Sequence, residues 1–155
     1  LAEWPALLLG PLSCSALRAR IATQIATISG TKLSPHPMDV FAMTANTIYH
    51  KGFAVGLLTS DPLPDRQRPA NGLALRTTVR VRFAYRLSPK DQVSGYDSAL
   101  DLEEDIIQVL LESNATLQAS LHIALRAVAT RDVSDAAEWF VGEIDFDCIH
   151  RLPLT

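Results

Sequence analysis

The sequence predicts a small α+β domain, with two amphipathic helices packed on one face of a mostly antiparallel sheet of about four strands. Three observations predict it. Apolar residues recur at helical spacing in two separated segments. Apolar–polar alternation runs through Leu75–Leu87 and again through Glu138–Leu152. The order along the chain is helix, two strands around a long loop, helix, two strands. The chain has 155 residues, one domain's length, and 48% of them are apolar, enough for one core. A mean hydropathy of +0.13 is high for a small domain and points to apolar surface covered by other subunits.

Leu1–Leu12 holds Trp4, Pro5, Gly10 and Pro11, so it reads as a punctuated apolar arm ahead of a single domain over 13–155. Ser13 or Ser15 can cap the first helix. Leu17, Ile21, Ile25 and Ile28 recur at its apolar positions from Ala16 to Ile28, and Ser29-Gly30 stops it. Thr31–Asp39 contains Pro35 and Pro37 and reads as a loop. Phe41–Thr47 is ambiguous, with a short extended piece as one reading. Ile48–Leu58 reads as a strand in which Phe53, Val55 and Leu57 alternate with Ala54, Gly56 and Leu58. Thr59–Gly72, with three prolines and mixed charges, reads as a long loop between strands.

Leu75–Leu87 shows the clearest alternation. Thr77, Val79, Val81, Phe83, Tyr85 and Leu87 form one face, and Arg76, Thr78, Arg80, Arg82, Ala84 and Arg86 the other. The second helix spans Ser94–Glu112, with Ser94 as its cap. Its buried stripe is Leu100, Ile107, Leu110 and Leu111, helped by Tyr96 and Leu102. Asp97, Asp101, Glu103, Glu104 and Asp105 crowd its N-terminal half, where the helix dipole favours anions. Leu121–Thr130 is a third strand, with Leu121, Ile123 and Leu125 inward, and Asp132–Asp135 is a turn. The last strand turns Phe140, Ile144, Phe146 and Cys148 one way and Trp139, Val141, Glu143, Asp145, Asp147 and Ile149 the other.

The charges sum to 14 − 17 = −3, which argues against a basic nucleic-acid-binding domain. Cys14 and Cys148 form no C-x-x-C pair and read as small thiols of a reducing compartment. No run of about 18 apolar residues occurs, so no membrane partner is expected. His36, His50, His122 and His150 are scattered outside any metal motif, and no G-x-S-x-G, G-x-G-x-x-G or Walker loop is present. No catalytic, cofactor-binding or metal-binding residue is therefore assigned. Glu143, Asp145 and Asp147 point the same way from one strand, which suggests a hard-cation site or an acid–base pair. A calcium site draws its ligands from a glycine-containing loop, so the wet face of a half-buried strand is the simpler reading.

The arginines give these carboxylates a partner. Arg76, Arg80, Arg82 and Arg86 share a face that would repel itself unless balanced, and Glu143, Asp145 and Asp147 supply the opposite sign in the same sheet. Cross-strand pairs of opposite charge contribute about 0.2–1 kcal/mol each. This helix-free face is a candidate subunit or channel surface. It could be solvated, line a channel or meet a neighbour. Direct phosphate binding is the sharper alternative, which the nearby carboxylates oppose.

The segment Thr77–Leu111, TTVRVRFAYRLSPKDQVSGYDSALDLEEDIIQVLL, resembles the centre of tailed-phage tail terminator proteins, also called tail completion or head–tail joining proteins. Ser15–Ile28, Thr59–Gly72, Arg76–Leu87, Tyr96–Leu111 and Leu121–Leu152 fill, in order, the helix, Pro-rich loop, alternating strand, acidic helix and closing hairpin of that family. The resemblance implies a structural virion protein of the neck, not an enzyme, with no cofactor. It would form a homo-oligomer, a hexameric ring that caps the head-proximal end of the tail tube, stops its polymerisation and meets the head connector or stopper. DNA would pass through as cargo, and the ring would assemble in the host cytoplasm. A closed ring needs a heterologous contact repeated about an axis. Asp61, Asp65, Arg66, Arg68 and Asn71 of the Pro-rich loop are the candidate contacts to tube or connector. Alternatives are another neck protein, such as a stopper or head-completion protein, and a small α+β ligand-binding domain.

Overall fold

The computed structural model describes residues 12–40, 48–63, 73–114, 121–134 and 137–152. Among these residues the elements are, in chain order, α1 (Cys14–Ala26), β1 (Lys32–Leu33), β2 (Gly52–Pro62), β3 (Leu73–Arg86), α2 (Gln92–Glu112), β4 (Leu121–Val133) and β5 (Trp139–Leu152). The sheet has five strands in the order β1-β2-β3-β5-β4, parallel only between β1 and β2. The expected α+β class is present, with five strands rather than four. The additional strand, β1, lies inside the segment expected as a loop. Its two residues are too short to show a period, and it exists because Lys32 and Ser34 donate their main-chain N–H groups to the carbonyls of Lys51 and Phe53 (3.1 and 2.7 Å).

β3 and β5 form the centre. Every residue of β3 from Leu73 to Arg86 faces a partner in β5, from Leu152 back to Trp139. This register stacks the inward residues expected from the alternation: Val79, Val81 and Phe83 from β3, and Phe140, Ile144, Phe146 and Cys148 from β5, all fully buried. Both helices lie over that face and close one core, α1 through Leu17, Ile21 and Ile25, and α2 through Ala99, Leu102, Ile106 and Leu110. Gly142 is the inward residue between Phe140 and Ile144. A Cβ there would lie 2.4 Å from the Phe83 ring, so the glycine makes room for the Phe83–Phe140 contact.

Ser13 caps α1, its hydroxyl accepting from the Ala16 N–H at 3.2 Å. The turn beyond the helix closes on Gly30 at φ 82°, a left-handed conformation that favours glycine.

Several boundaries differ from expectation. β2 starts at Gly52 and runs through Pro62, so Thr59–Pro62 belong to a strand rather than a loop. β3 supplies the partners that extend them, with a register irregularity between Leu57 and Ser60. The cap of α2 is Asp91, which accepts from the Ser94 N–H at 3.3 Å; Ser94 lies inside the helix. No acidic residue occupies the first turn of α2, so dipole compensation does not explain the acidic cluster. Its buried stripe is Ala99, Leu102, Glu103, Ile106 and Leu110, so Leu102 and Leu110 are buried as expected, whereas Leu100, Ile107 and Leu111 are only partly buried at the edge of the core. Glu103 was not expected there: a carboxylate inside the stripe reads as a surface position. Tyr96 is 37% exposed and meets Phe140 edge-on. Leu125, expected inside, is exposed on β4, which is the edge strand among the described residues. Asp132 and Val133 continue β4, and Asp135 lies outside the described residues. So do Leu1–Pro11 of the arm and the whole of Phe41–Thr47.

Candidate functional site: a charged ladder on the helix-free face

Because β3 and β5 bury every second residue under the helices, their remaining residues share the opposite face. The register places Arg80 against Asp145, Arg82 against Glu143 and Thr78 against Asp147. Each pair is bonded. Arg80 donates from Nε and Nη2 to the two oxygens of Asp145 at 2.8 and 3.0 Å, a bidentate contact that suits a planar guanidinium. Arg82 donates from Nε to Glu143 Oε2, and Thr78 Oγ1 donates to Asp147 Oδ1 at 3.2 Å. Asp145 is only 7% exposed, and its hydrogen bond is the main reason the Arg80 guanidinium is raised above its ordinary pKa; burial opposes the shift.

The ladder extends sideways onto elements that the sequence did not connect to it. From β4, Arg126 reaches Asp147 at 3.4 Å and Thr130 Oγ1 donates to Glu143 Oε1 at 2.8 Å. From the segment after β1, Asp39 lies 3.9 Å from Arg82 Nη1, which also donates to the Met38 carbonyl at 3.0 Å. Alternation along β4 could have found Arg126. Asp39 could not be found, because a loop has no period.

Of the seven residues expected on this face, five form the ladder: Arg80, Arg82, Glu143, Asp145 and Asp147. Arg76 and Arg86 share the face but make no salt bridge within 4.0 Å among the described residues. Arg76 stands opposite Asp61 in the β2–β3 register, and Arg86 lies over the Trp139 ring, its guanidinium carbon 6.0 Å from the centroid. Asp61, expected in the loop, is an exposed residue of β2. Asp65, Arg66, Arg68 and Asn71 lie outside the described residues. The face is also less bare than alternation suggested. Val40 covers Ala54 and Ala84, with Ile48, Trp139 and Val141 around them, as a second small apolar cluster.

The ladder joins three arginines, Arg80, Arg82 and Arg126, to four carboxylates, Asp39, Glu143, Asp145 and Asp147. Such a face projects no net positive field, so its centre does not attract phosphate. Among the described residues no group of three His, Cys, Asp or Glu side chains is placed to hold a metal ion.

Two further polar contacts went unread in the sequence. Glu103 is 3% exposed and receives both Nε and Nη2 of Arg131 (2.9 and 2.7 Å), which ties α2 to the edge strand β4. His150, 1% exposed, anchors a chain of hydrogen bonds that runs from the core to the exposed Ser60. Its Nδ1 donates to the Leu12 carbonyl at 2.7 Å, its Nε2 meets Thr77 Oγ1 at 2.7 Å, and Thr77 Oγ1 meets Ser60 Oγ at 2.8 Å. Because a carbonyl only accepts, Nδ1 carries the proton, and in the neutral ring Nε2 accepts from Thr77. Burial pushes the His150 pKa down and the Leu12 contact partly restores it. Burial also pushes the Cys148 thiol up to about 12, so it stays protonated and unreactive.

No protein-family model matches this chain, and no curated protein matches it.

Proposed function

We propose that the chain is a structural component of a tailed-phage neck, a terminator subunit whose ring caps the tail tube and joins it to the head. The observation that carries this reading is the division of the sheet. Both helices seal one face, and the opposite face is an ordered, nearly neutral ladder. A wall past which DNA must slide cannot hold phosphate tightly, and arginines balanced by neighbouring carboxylates satisfy that need. The Pro-rich segment that links β2 to β3 is the proposed contact toward the tube or connector. Tail tube protein and the connector or stopper are then the partners, with a second copy of the chain on each side in the ring.

The test is mass photometry and negative-stain imaging of the purified chain, alone and after addition of tail tubes. Rings of about six copies, or density capping one tube end, are the expected result. A chain that stays monomeric and leaves tube ends bare and still growing overturns the reading. Deleting Asp65–Ala70 should leave the fold intact and impair joining; heads and tails that join at normal yield without that segment remove its proposed role.

A further inference from the structure

Of the two arginines outside the ladder, Arg76 stands opposite Asp61, whereas Arg86 makes no ion pair among the described residues and has surroundings that can use its charge. Beside Arg86 lies a depression of about 470 Å3 lined by His50, Arg86, Leu87, Ser88 and Pro89. Among the described residues no carboxylate lines it. Asp91, a few residues on, is engaged in capping α2.

The protonation of His50 follows from geometry. The main-chain N–H of Arg86 donates to His50 Nδ1 at 3.0 Å. A ring nitrogen that accepts a hydrogen bond carries no proton, so the neutral imidazole holds its proton on Nε2 and can only donate there. The ring is steadied edge-on against Tyr85, with centroids 4.5 Å apart at 70°. Partial burial, then the charges of Lys51 and Arg86, push the His50 pKa down, so near neutral pH the ring remains an uncharged donor. The depression thus gathers a guanidinium with no ion-pair partner among the described residues, an imidazole and a hydroxyl beside an apolar wall.

We propose that this depression binds a phosphate group, with the Arg86 guanidinium, His50 Nε2–H and the Ser88 hydroxyl as donors and Leu87 and Pro89 as the apolar wall. A guanidinium offers paired donors that match two phosphate oxygens, and an N–H and an O–H donor serve the others. Arg80 and Arg82 cannot do this, because carboxylates already occupy their donors. The assignment is independent of the neck reading. Its ligand is either a free phosphate or phosphomonoester, or a phosphodiester of nucleic acid.

The experiment titrates the full chain at low salt with inorganic phosphate, with a short DNA duplex and with acetate, reading the His50 ring and Arg86 side-chain resonances by NMR. Phosphate should shift both resonances saturably in the millimolar range or tighter. Arg86→Ala retains the main-chain N–H that holds His50, and it should weaken binding at least about tenfold, as expected from losing about 1.4 kcal/mol of charge-assisted contact. Ser88→Ala should weaken it by a smaller factor. Both exposed substitutions should leave the thermal midpoint unchanged. A duplex that shifts the same resonances, and loses this in Arg86→Ala, identifies a phosphodiester. A response to inorganic phosphate alone identifies a free phosphate or monoester. No saturable shift with either probe, an equal response to acetate, or undiminished binding by Arg86→Ala overturns the assignment.

Discussion

Replacing Thr77 with valine tests whether the hydrogen-bond chain Leu12–His150–Thr77–Ser60 stabilises the fold. Valine matches threonine in shape, so the change removes one hydroxyl and little packing. Thr77 is fully buried, and its oxygen contacts both His150 Nε2 and Ser60 Oγ. Its loss leaves the Nε2 lone pair of the buried His150 without its Thr77 partner. An unsatisfied buried polar atom costs about 1–3 kcal/mol, against about 1 kcal/mol for an ordinary hydrogen bond. The expected loss is therefore about 1–3 kcal/mol, which at this chain length lowers the thermal midpoint by about 2–4 °C per kcal/mol. Urea denaturation at pH 7.5 would show a lower midpoint with an unchanged slope. The same chain sets a pH dependence. His150 titrates below its ordinary value of 6.5 in the native state, so the unfolded state binds more protons at mildly acidic pH. The stabilisation is complete above about 6.5 and declines as pH falls from there through the lowered native pKa. His150→Gln should flatten the part of that decline that His150 contributes. A Thr77→Val protein within about 0.5 kcal/mol of the parent, the range of a neutral surface change, would refute the reasoning.

Three other outcomes follow from the same structure. In a double-mutant cycle, Arg80→Ala and Asp145→Ala should couple by at least about 0.5 kcal/mol, since the contact is bidentate and Asp145 is buried; additive losses in denaturation would show that the ladder is decorative. Gly142→Ala should destabilise by about 1–3 kcal/mol, because the added methyl meets the Phe83 ring at 2.4 Å; an unchanged melting curve would show that the core yields there. Cys148 should resist a thiol reagent in native protein and react on unfolding, whereas Cys14, partly exposed, should react first. Equal labelling of both thiols in native protein would contradict the burial of Cys148.

The candidate ladder was legible where periodicity reaches. Alternation placed Arg80 and Arg82 on one face of β3, and Glu143, Asp145 and Asp147 on one face of β5. It could not say that Arg80 stands opposite Asp145 and Arg82 opposite Glu143, because register is a relation between strands. Arg76 and Arg86 carry the same pattern and lack the partner, since β5 offers Ile149 and Trp139 at those positions. Glu103 was misread for a related reason. Its burial depends on Arg131, which lies 28 residues away and reaches it only once β4 is packed.

The residue pattern alone determined the α+β class, the two helices, the long strands and the inward faces of β3 and β5, because a half-buried strand writes its burial into a local period. The tertiary structure decided the strand order, the two-residue β1, the pairing within the ladder, the buried contacts of His150 and Glu103, and the proton position on His50. Each of these arises where residues far apart in the chain come within a few ångströms, and no local period records such a meeting.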